Sequence, residues 1–254
     1  MNILVTNNDG YLVAGTRILP DALSAITDFN VVASDRNKNC SSNSLTLLRP
    51  LRVHKTTEGY YSEDGTPTDF DHLAISGLLG NRPEMVVSGI NNDSNPRHDV
   101  LYSGTFAAAI EGRYLGLPTI AVSLTGKREE NYHVATQISQ YIVEKLLDQQ
   151  VSNELIPNDP IWNINVFDLT LVNLQPIKVT RLGFRHKAKK MEIQKGPYDS
   201  PIDWVGQPRE LHDAGAGADF HAIEQNQVSD TWSLDDLTRH ESIDSLQHWL
   251  GNLQ

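Results

Sequence analysis

The chain has 254 residues, of which 39% are hydrophobic and 21% charged, enough to bury a substantial core and typical of a globular chain rather than a disordered one. Its 21 Lys and Arg against 32 Asp and Glu give a formal net charge of −11, which argues against broad binding to nucleic acid polymers or anionic membranes. The one cysteine, Cys40, excludes an intrachain disulfide and fits a reducing compartment. Met1 to Val5 is too short and unflanked for a signal peptide and no run reaches membrane-spanning length, so the expectation is a cytoplasmic protein.

Ile3-Leu4-Val5 reads as a buried parallel strand, because aliphatic residues without alternation suit a strand covered on both faces. It ends in Asn7-Asn8-Asp9-Gly10. Ligands of open α/β sheets bind at the carboxyl ends of strands, and an aspartate among amide oxygens there is a plausible hard-cation ligand set; an ordinary Asn/Asp/Gly turn is the plainer alternative. Ala14 to Ile26 has helical spacing with Pro20 inside it, tolerated if the helix starts near Arg17 and kinking it if it starts at Ala14. Asn30 to Ala33 is a second strand, followed by a polar loop from Ser34 to Ser44. This is the opening of a doubly wound sheet.

Leu51 to Thr56 and Tyr60 to Ser62 suggest a hairpin or β arm. Thr66-Pro67-Thr68-Asp69 has the chemistry of a helix start, which explains the motif structurally without a functional role. Glu84 to Ser88 is the next buried strand and runs into a polar loop from Gly89 to Asp99. Tyr102-Ser103-Gly104-Thr105 then opens a helix over Phe106 to Leu115, and small residues at a helix start leave N–H groups able to hold a phosphate dianion, although Ser and Thr are also ordinary caps. A strand at Thr119 to Leu124, an amphipathic helix at Glu130 to Gln150 and a strand at Trp162 to Val166 follow. Beyond Asp168 the pattern loosens: Val179-Thr180-Arg181 could be a strand, Lys187 to Lys190 is a local basic cluster best read as a solvated face, and Glu241 to Leu250 is a terminal helix. Asp213 to Asp219 is Gly-rich but lacks the strand-to-helix context of a dinucleotide fingerprint.

Taken together these residues resemble the SurE survival proteins, metal-dependent 5′/3′-nucleotidases. The resemblance rests on the joint spacing of Asn7 to Gly10, Asp35-Arg36-Asn37 with Ser42-Asn43-Ser44-Leu45, Gly65 to Asp69, Ser88-Gly89-Ile90-Asn91 and Asp99 to Thr105, and extends over Glu111-Gly112-Arg113, Asn163 to Val166 and Asp213-Ala214-Gly215. It implies a Rossmann-like, mostly parallel α/β sheet with helices on both faces, as one domain over residues 1–254. An arm and C-terminal subdomain over roughly residues 168–254 would be exchanged between subunits of a homodimer or homotetramer. The implied reaction is removal of phosphate from nucleoside 5′- or 3′-monophosphates with Mg2+ or Mn2+.

By position, the family's metal ligands fall on Asn8, Asp9, Asn39 and Asn91, and its phosphate contacts on Asn95, Ser103, Gly104 and Thr105; Asp9 and Asn91 are the implied catalytic pair. The chain departs from the family pattern where Asn8 replaces an aspartate, Asn39 a serine, and Asp93 and Arg97 loop glycines. Losing an anionic ligand should weaken cation binding, and Asp93 could restore the lost charge. Asp9 and His98 are the nearby titratable groups, and Arg97 could add a phosphate contact. Two rivals follow: a catalytically impaired homologue acting as a nucleotide-binding or oligomeric scaffold, and a dinucleotide-dependent oxidoreductase, which the missing Gly-x-Gly-x-x-Gly disfavours.

Overall fold

Ile3, Leu4 and Val5 are fully buried in the strand β1 (Asn2–Asn7). Ile3 and Val5 pack with one core cluster and Leu4 with another, as a strand covered on both faces requires. The computed structural model describes residues 2–93, 100–126, 130–152, 160–185, 189–206 and 211–251. The elements that follow β1 are α1 (Ala14–Leu23), β2 (Asp28–Ser34), β3 (Val53–Lys55), β4 (Tyr61–Glu63), α2 (Pro67–Leu73), β5 (Met85–Asp93), α3 (Gly104–Glu111), β6 (Thr119–Thr125), α4 (Tyr132–Ser152) and β7 (Ile161–Phe167).

Nine strands form one sheet in the order β3-β4-β2-β1-β5-β6-β7-β13-β8, where β8 is Gln175–Val179 and β13 is Gln227–Ser233. From β4 to β7 every neighbouring pair is parallel; β13 runs antiparallel to β7. The helices cover both faces. Leu19 and Leu23 of α1 and Val134, Ala135, Ile142, Val143 and Leu146 of α4 pack in the larger cluster, while Phe70 of α2 and Ala108 of α3 pack on the opposite face with Leu4, Val32 and Val86.

Strand order sets the site. The chain passes from β1 outward to β2 on one side and returns to place β5 on β1's other side, so the loops after β1 and β5 diverge and leave a crevice at the carboxyl edge.

The details of several elements differ from expectation. The first helix begins at Ala14 and keeps Pro20 inside it, so the Thr16 carbonyl receives no N–H from residue 20. The helix from Thr66 ends at Leu73 and continues as a wider turn over Ala74–Leu78. The predicted strand near Val179 is shifted earlier, to β8, and Arg181 makes only an isolated bridge to Ala218. The strand β13 has no apolar alternation to mark it; its Trp232 pairs with Trp162 across the ladder, and the two rings stack at 4.7 Å. Outside the main sheet, β9 (Phe184–Arg185) pairs with β12 (Leu211–Asp213), and β10 (Glu192–Lys195) with β11 (Pro201–Trp204).

The Gly-rich stretch after Asp213 does lie between a strand and a helix, β12 and α5 (Asp219–Glu224). That strand belongs to an antiparallel ribbon rather than to a βαβ unit, and Asp213 is held by a two-pronged contact with Arg181 at 2.6 and 2.8 Å. Lys189 and Lys190 of the basic cluster are exposed; Lys187 and Ala188 lie outside the described residues. The terminal helix α6 (Ile243–Leu250) is amphipathic, and its Ile243, Leu246, Trp249 and Leu250 are exposed.

Candidate active site

The end of β1 is organised by the amide of Asn7, which the sequence groups with the oxygens of a cation ligand set but which bonds within the protein instead. Asn7 is fully buried; its Oδ1 accepts from the Asp9 N–H at 2.8 Å and its Nδ2 donates to the Ile90 carbonyl at 3.2 Å. One side chain thus sets the turn after β1 and ties it to β5. The second loop is drawn in from the other side: Ser34 Oγ and the Lys38 N–H donate to the Asn8 carbonyl at 3.0 and 2.8 Å. Gly10 then has φ +125°, a backbone geometry that favours glycine.

These contacts bring the candidate ligands together. Asp9 is buried; its carboxylate accepts from Asn37 Nδ2 at 3.2 Å and from the Asn92 N–H at 2.7 Å, one donor from the loop after β2 and one from β5, a strand that continues to Asp93 where the sequence suggests a polar loop from Gly89. Asn37 is a second positioning residue that sequence reasoning left without a role, and its Oδ1 also accepts from the Asn39 N–H at 2.9 Å. Asn8 Nδ2 donates to Asn39 Oδ1 at 2.5 Å, and Asn8 Oδ1 accepts from Thr105 Oγ1 at 2.7 Å. Asn91 is buried, and among the described residues nothing hydrogen-bonds its Oδ1.

The helix α3 supplies the opposite wall. Ser103 caps it, accepting from the Phe106 N–H at 3.1 Å, while the Ser103 N–H is taken by the Val100 carbonyl at 3.1 Å. Of the first-turn donors, Gly104 and Thr105 are left with N–H groups that have no acceptor within the helix. A Cβ on Gly104 would sit 2.9 Å from Pro67 Cγ and 3.2 Å from Asn8 Nδ2, so only glycine lets this helix start approach both α2 and the ligand cluster. The start of α2 is itself closed: Thr66 and Asp69 form a capping box, and Asp69 also accepts from the Thr46 N–H at 2.7 Å. The structural reading of Thr66 to Asp69 therefore holds.

Two acids near this wall are invisible to motif reading. Glu63, paired with Ser34 across the β2–β4 ladder, is buried and its carboxyl is pushed up to about 7, by burial first and then by the charges of Asp69 and Asp64. Asp71 is fully buried and raised well above the usual carboxylate range, by burial first and then by Glu111.

Asn8, Asp9, Asn39, Asn91, Ser103, Gly104 and Thr105 thus fall in one crevice. Asn95, Arg97, His98 and the side chain of Asp93 lie outside the described residues. Among the described residues no three His, Cys, Asp or Glu side chains gather as a metal-binding group; the donors here are amides around a single carboxylate. A hard cation fits that donor chemistry, because Asn91 Oδ1 is a buried acceptor with no donor among the described residues and the next residue, Asn92, is bonded through its N–H to the charged Asp9.

A doubly wound sheet with an amide and carboxylate cluster at its switch point, facing a helix N-terminus, defines an α/β protein built to bind an anionic small molecule with or without a hard cation. The comparisons with known proteins narrow this. The family model described as "Survival protein SurE" matches residues 3–189. The chain is 47% identical over 253 residues to the 5′-nucleotidase SurE of Legionella pneumophila (strain Lens), covering all of this chain and 98% of that protein. It is 46% identical to the 5′-nucleotidase SurE of Methylococcus capsulatus (strain Bath), covering 98% of each. The crystal structure of the SurE protein from Aquifex aeolicus aligns with a TM-score of 0.82 at 35% identity, over 99% of this chain and all of that one. The chain belongs to the SurE family. No helix of the described residues is long and apolar enough to cross a membrane.

Proposed function

We propose that the protein is a divalent-cation-dependent phosphomonoester hydrolase that releases phosphate from nucleoside 5′- or 3′-monophosphates. The observation that carries the reading is that Asp9 is bonded to β5 next to Asn91, whose buried Oδ1 has no donor among the described residues, while the adjacent Asn8 is bonded to Thr105 at the open N-terminus of α3. The names of its relatives support the substrate class. Asp9 and Asn91 would hold the ion, Mg2+ or Mn2+, with the oxygens of Asn8 and Asn39 beside them. When bound, the ion offsets charge on the phosphoryl oxygens and lowers the pKa of a bound water.

The remaining chemistry is the chain's own. The N–H groups of Gly104 and Thr105, aligned by the helix dipole, bind the phosphate oxygens, and Asn95 is assigned to the same group by position. Charge grows on those oxygens as the ester bond breaks, so donors fixed by the Ser103 cap and by the Thr105–Asn8 bond stabilise the transition state without reorganising. Asn37 Nδ2 and the Asn92 N–H each donate to one oxygen of Asp9 and so fix its carboxylate.

Exposed apolar side chains on the β10–β11 ribbon, Ile193, Ile202 and Trp204, and on α6 support a homodimer or homotetramer built through these extensions, with the arm and C-terminal subdomain starting near residue 168. The absence of a long apolar helix among the described residues is compatible with a cytoplasmic enzyme. One observation favours a second reading: Asn8 and Asn39 are bonded to each other, as they would be in a scaffold that binds nucleotide without turnover. Phosphate release from a panel of nucleoside 5′- and 3′-monophosphates, beside an Asn8→Asp variant, separates the two. The hydrolase reading expects release by the unmodified protein; release by Asn8→Asp alone would establish the scaffold.

A further inference from the structure

Of the four positions assigned to the cation, only Asp9 carries a charge, and two of the three amide oxygens already accept hydrogen bonds within the protein. Asn8 Oδ1 takes the Thr105 hydroxyl at 2.7 Å, and Asn39 Oδ1 takes Asn8 Nδ2 at 2.5 Å. The chain Thr105 to Asn8 to Asn39 joins the start of α3, the end of β1 and the second loop. Asn8 is 1% exposed, so this tie is shielded from competing water.

We infer that Asn8 is a latch between the helix start and the second loop rather than a cation ligand, and that the phosphate of the substrate completes the cation site. This rests on the proposed hydrolase reading and extends it: cation and phosphate bind as a coupled pair. The physical argument is one of charge. Cation affinity at oxygen sites follows the number of anionic ligands and the rigidity of the site. Among the described residues Asp9 is the one carboxylate of this cluster, and, already bonded by Asn37 and the Asn92 N–H, it offers a divalent ion little return for shedding its water. A phosphate dianion seated on the N–H groups of Gly104 and Thr105 places further negative charge in the same crevice. Each partner then raises the other's affinity, and by linkage the two factors are equal.

The latch also fixes geometry. Because the Thr105 hydroxyl is committed to Asn8, Thr105 meets the phosphate through its backbone N–H, and any ion that drew Asn8 Oδ1 away would release the helix start from the second loop. The coupling therefore runs through charge, with the latch intact.

The test is Mn2+ binding to chelator-stripped full-length protein, read from the spin-resonance signal of the free ion, with and without inorganic phosphate and corrected by a protein-free titration. The expected result is at least about tenfold tighter Mn2+ binding when phosphate is present, within the usual range of coupling between sites. Asn39→Asp keeps an acceptor for Asn8 Nδ2 while adding a carboxylate, and Asn8→Asp adds one while breaking the latch. Both should tighten Mn2+ binding in the absence of phosphate by about tenfold and shrink the coupling. Equal Mn2+ affinity with and without phosphate in the unmodified protein would overturn the inference, as would tight phosphate-independent binding that Asp93→Ala removes. Failure of the hydrolase reading is distinguishable, since it appears as absent phosphate release whatever the binding data show.

Discussion

Replacing Glu63 by glutamine is expected to flatten the dependence of stability on pH above pH 5. The carboxyl moves from 4.5 to about 7 on folding, with burial as the first cause and the charges of Asp69 and Asp64 behind it. At about 1.4 kcal/mol per pH unit, that displacement amounts to about 3 kcal/mol. The folded state holds the proton more tightly than the unfolded chain, so the stability it confers is complete below 4.5 and is lost as pH rises through about 7. Asp71, also raised by burial, acts in the same direction. Glutamine is neutral throughout, and its buried amide costs on the order of 1 kcal/mol if left short of partners. At pH 8 the variant should therefore exceed the parent by about 2 kcal/mol, and at pH 4.5 it should not. Equilibrium denaturation with urea at pH 5, 6, 7 and 8 measures this directly. A parent whose stability does not fall across that interval, or a variant that falls in parallel with it, would refute the assignment of a buried, proton-holding Glu63.

Other substitutions test the framework around the crevice. Gly15→Ala would put a Cβ 2.2 Å from the Ile90 carbonyl oxygen, forcing α1 off β5; we expect a loss of about 3 kcal/mol or more in urea denaturation, with phosphate release falling too because Asn91 follows Ile90. Thr66→Ala removes the capping hydroxyl of α2 and should cost about 1–2 kcal/mol, with Thr66→Ser recovering most of it; equal stability of Thr66→Ala and the parent would contradict the cap. Asn7→Ala deletes both the Asp9 N–H acceptor and the donor to Ile90, so it should reduce turnover more than Asn7→Asp, which keeps the acceptor; equal rates would mean that Asn7 does not set the turn.

Much of this arrangement could be read before the fold was known. Ile3-Leu4-Val5 followed by Asn7-Asn8-Asp9 announced a buried strand delivering polar groups to a sheet edge, and Ser103-Gly104-Thr105 announced a helix start, because both signals are local. The pairing of these groups is not local. Nothing in the residue types says that Asn8 donates to Asn39 rather than facing an ion, or that Asn7 and Asn37 spend their amides orienting Asp9, since an asparagine can donate and accept equally well. The strand β13 escaped notice for a related reason. Its buried positions include Ser229, Asp230, Thr231 and Ser233, so no apolar alternation marks it, and its place in the sheet comes from pairing with β7. Glu63 and Asp71 flank a capping box where acids are usually solvated. Their burial goes with the packing of α2 against β2 and α3, which only the tertiary structure sets.

The central claim is that Asp9 is the charged anchor of a cation-dependent phosphatase. Its most direct test is phosphate release from a nucleoside 5′-monophosphate by the parent and by Asp9→Asn, each after chelation and after return of Mg2+ or Mn2+. The account predicts that chelation abolishes release by the parent, that either ion restores it, and that Asp9→Asn stays inactive at any ion concentration while remaining folded. Undiminished release by the chelated parent, or by Asp9→Asn, would contradict it.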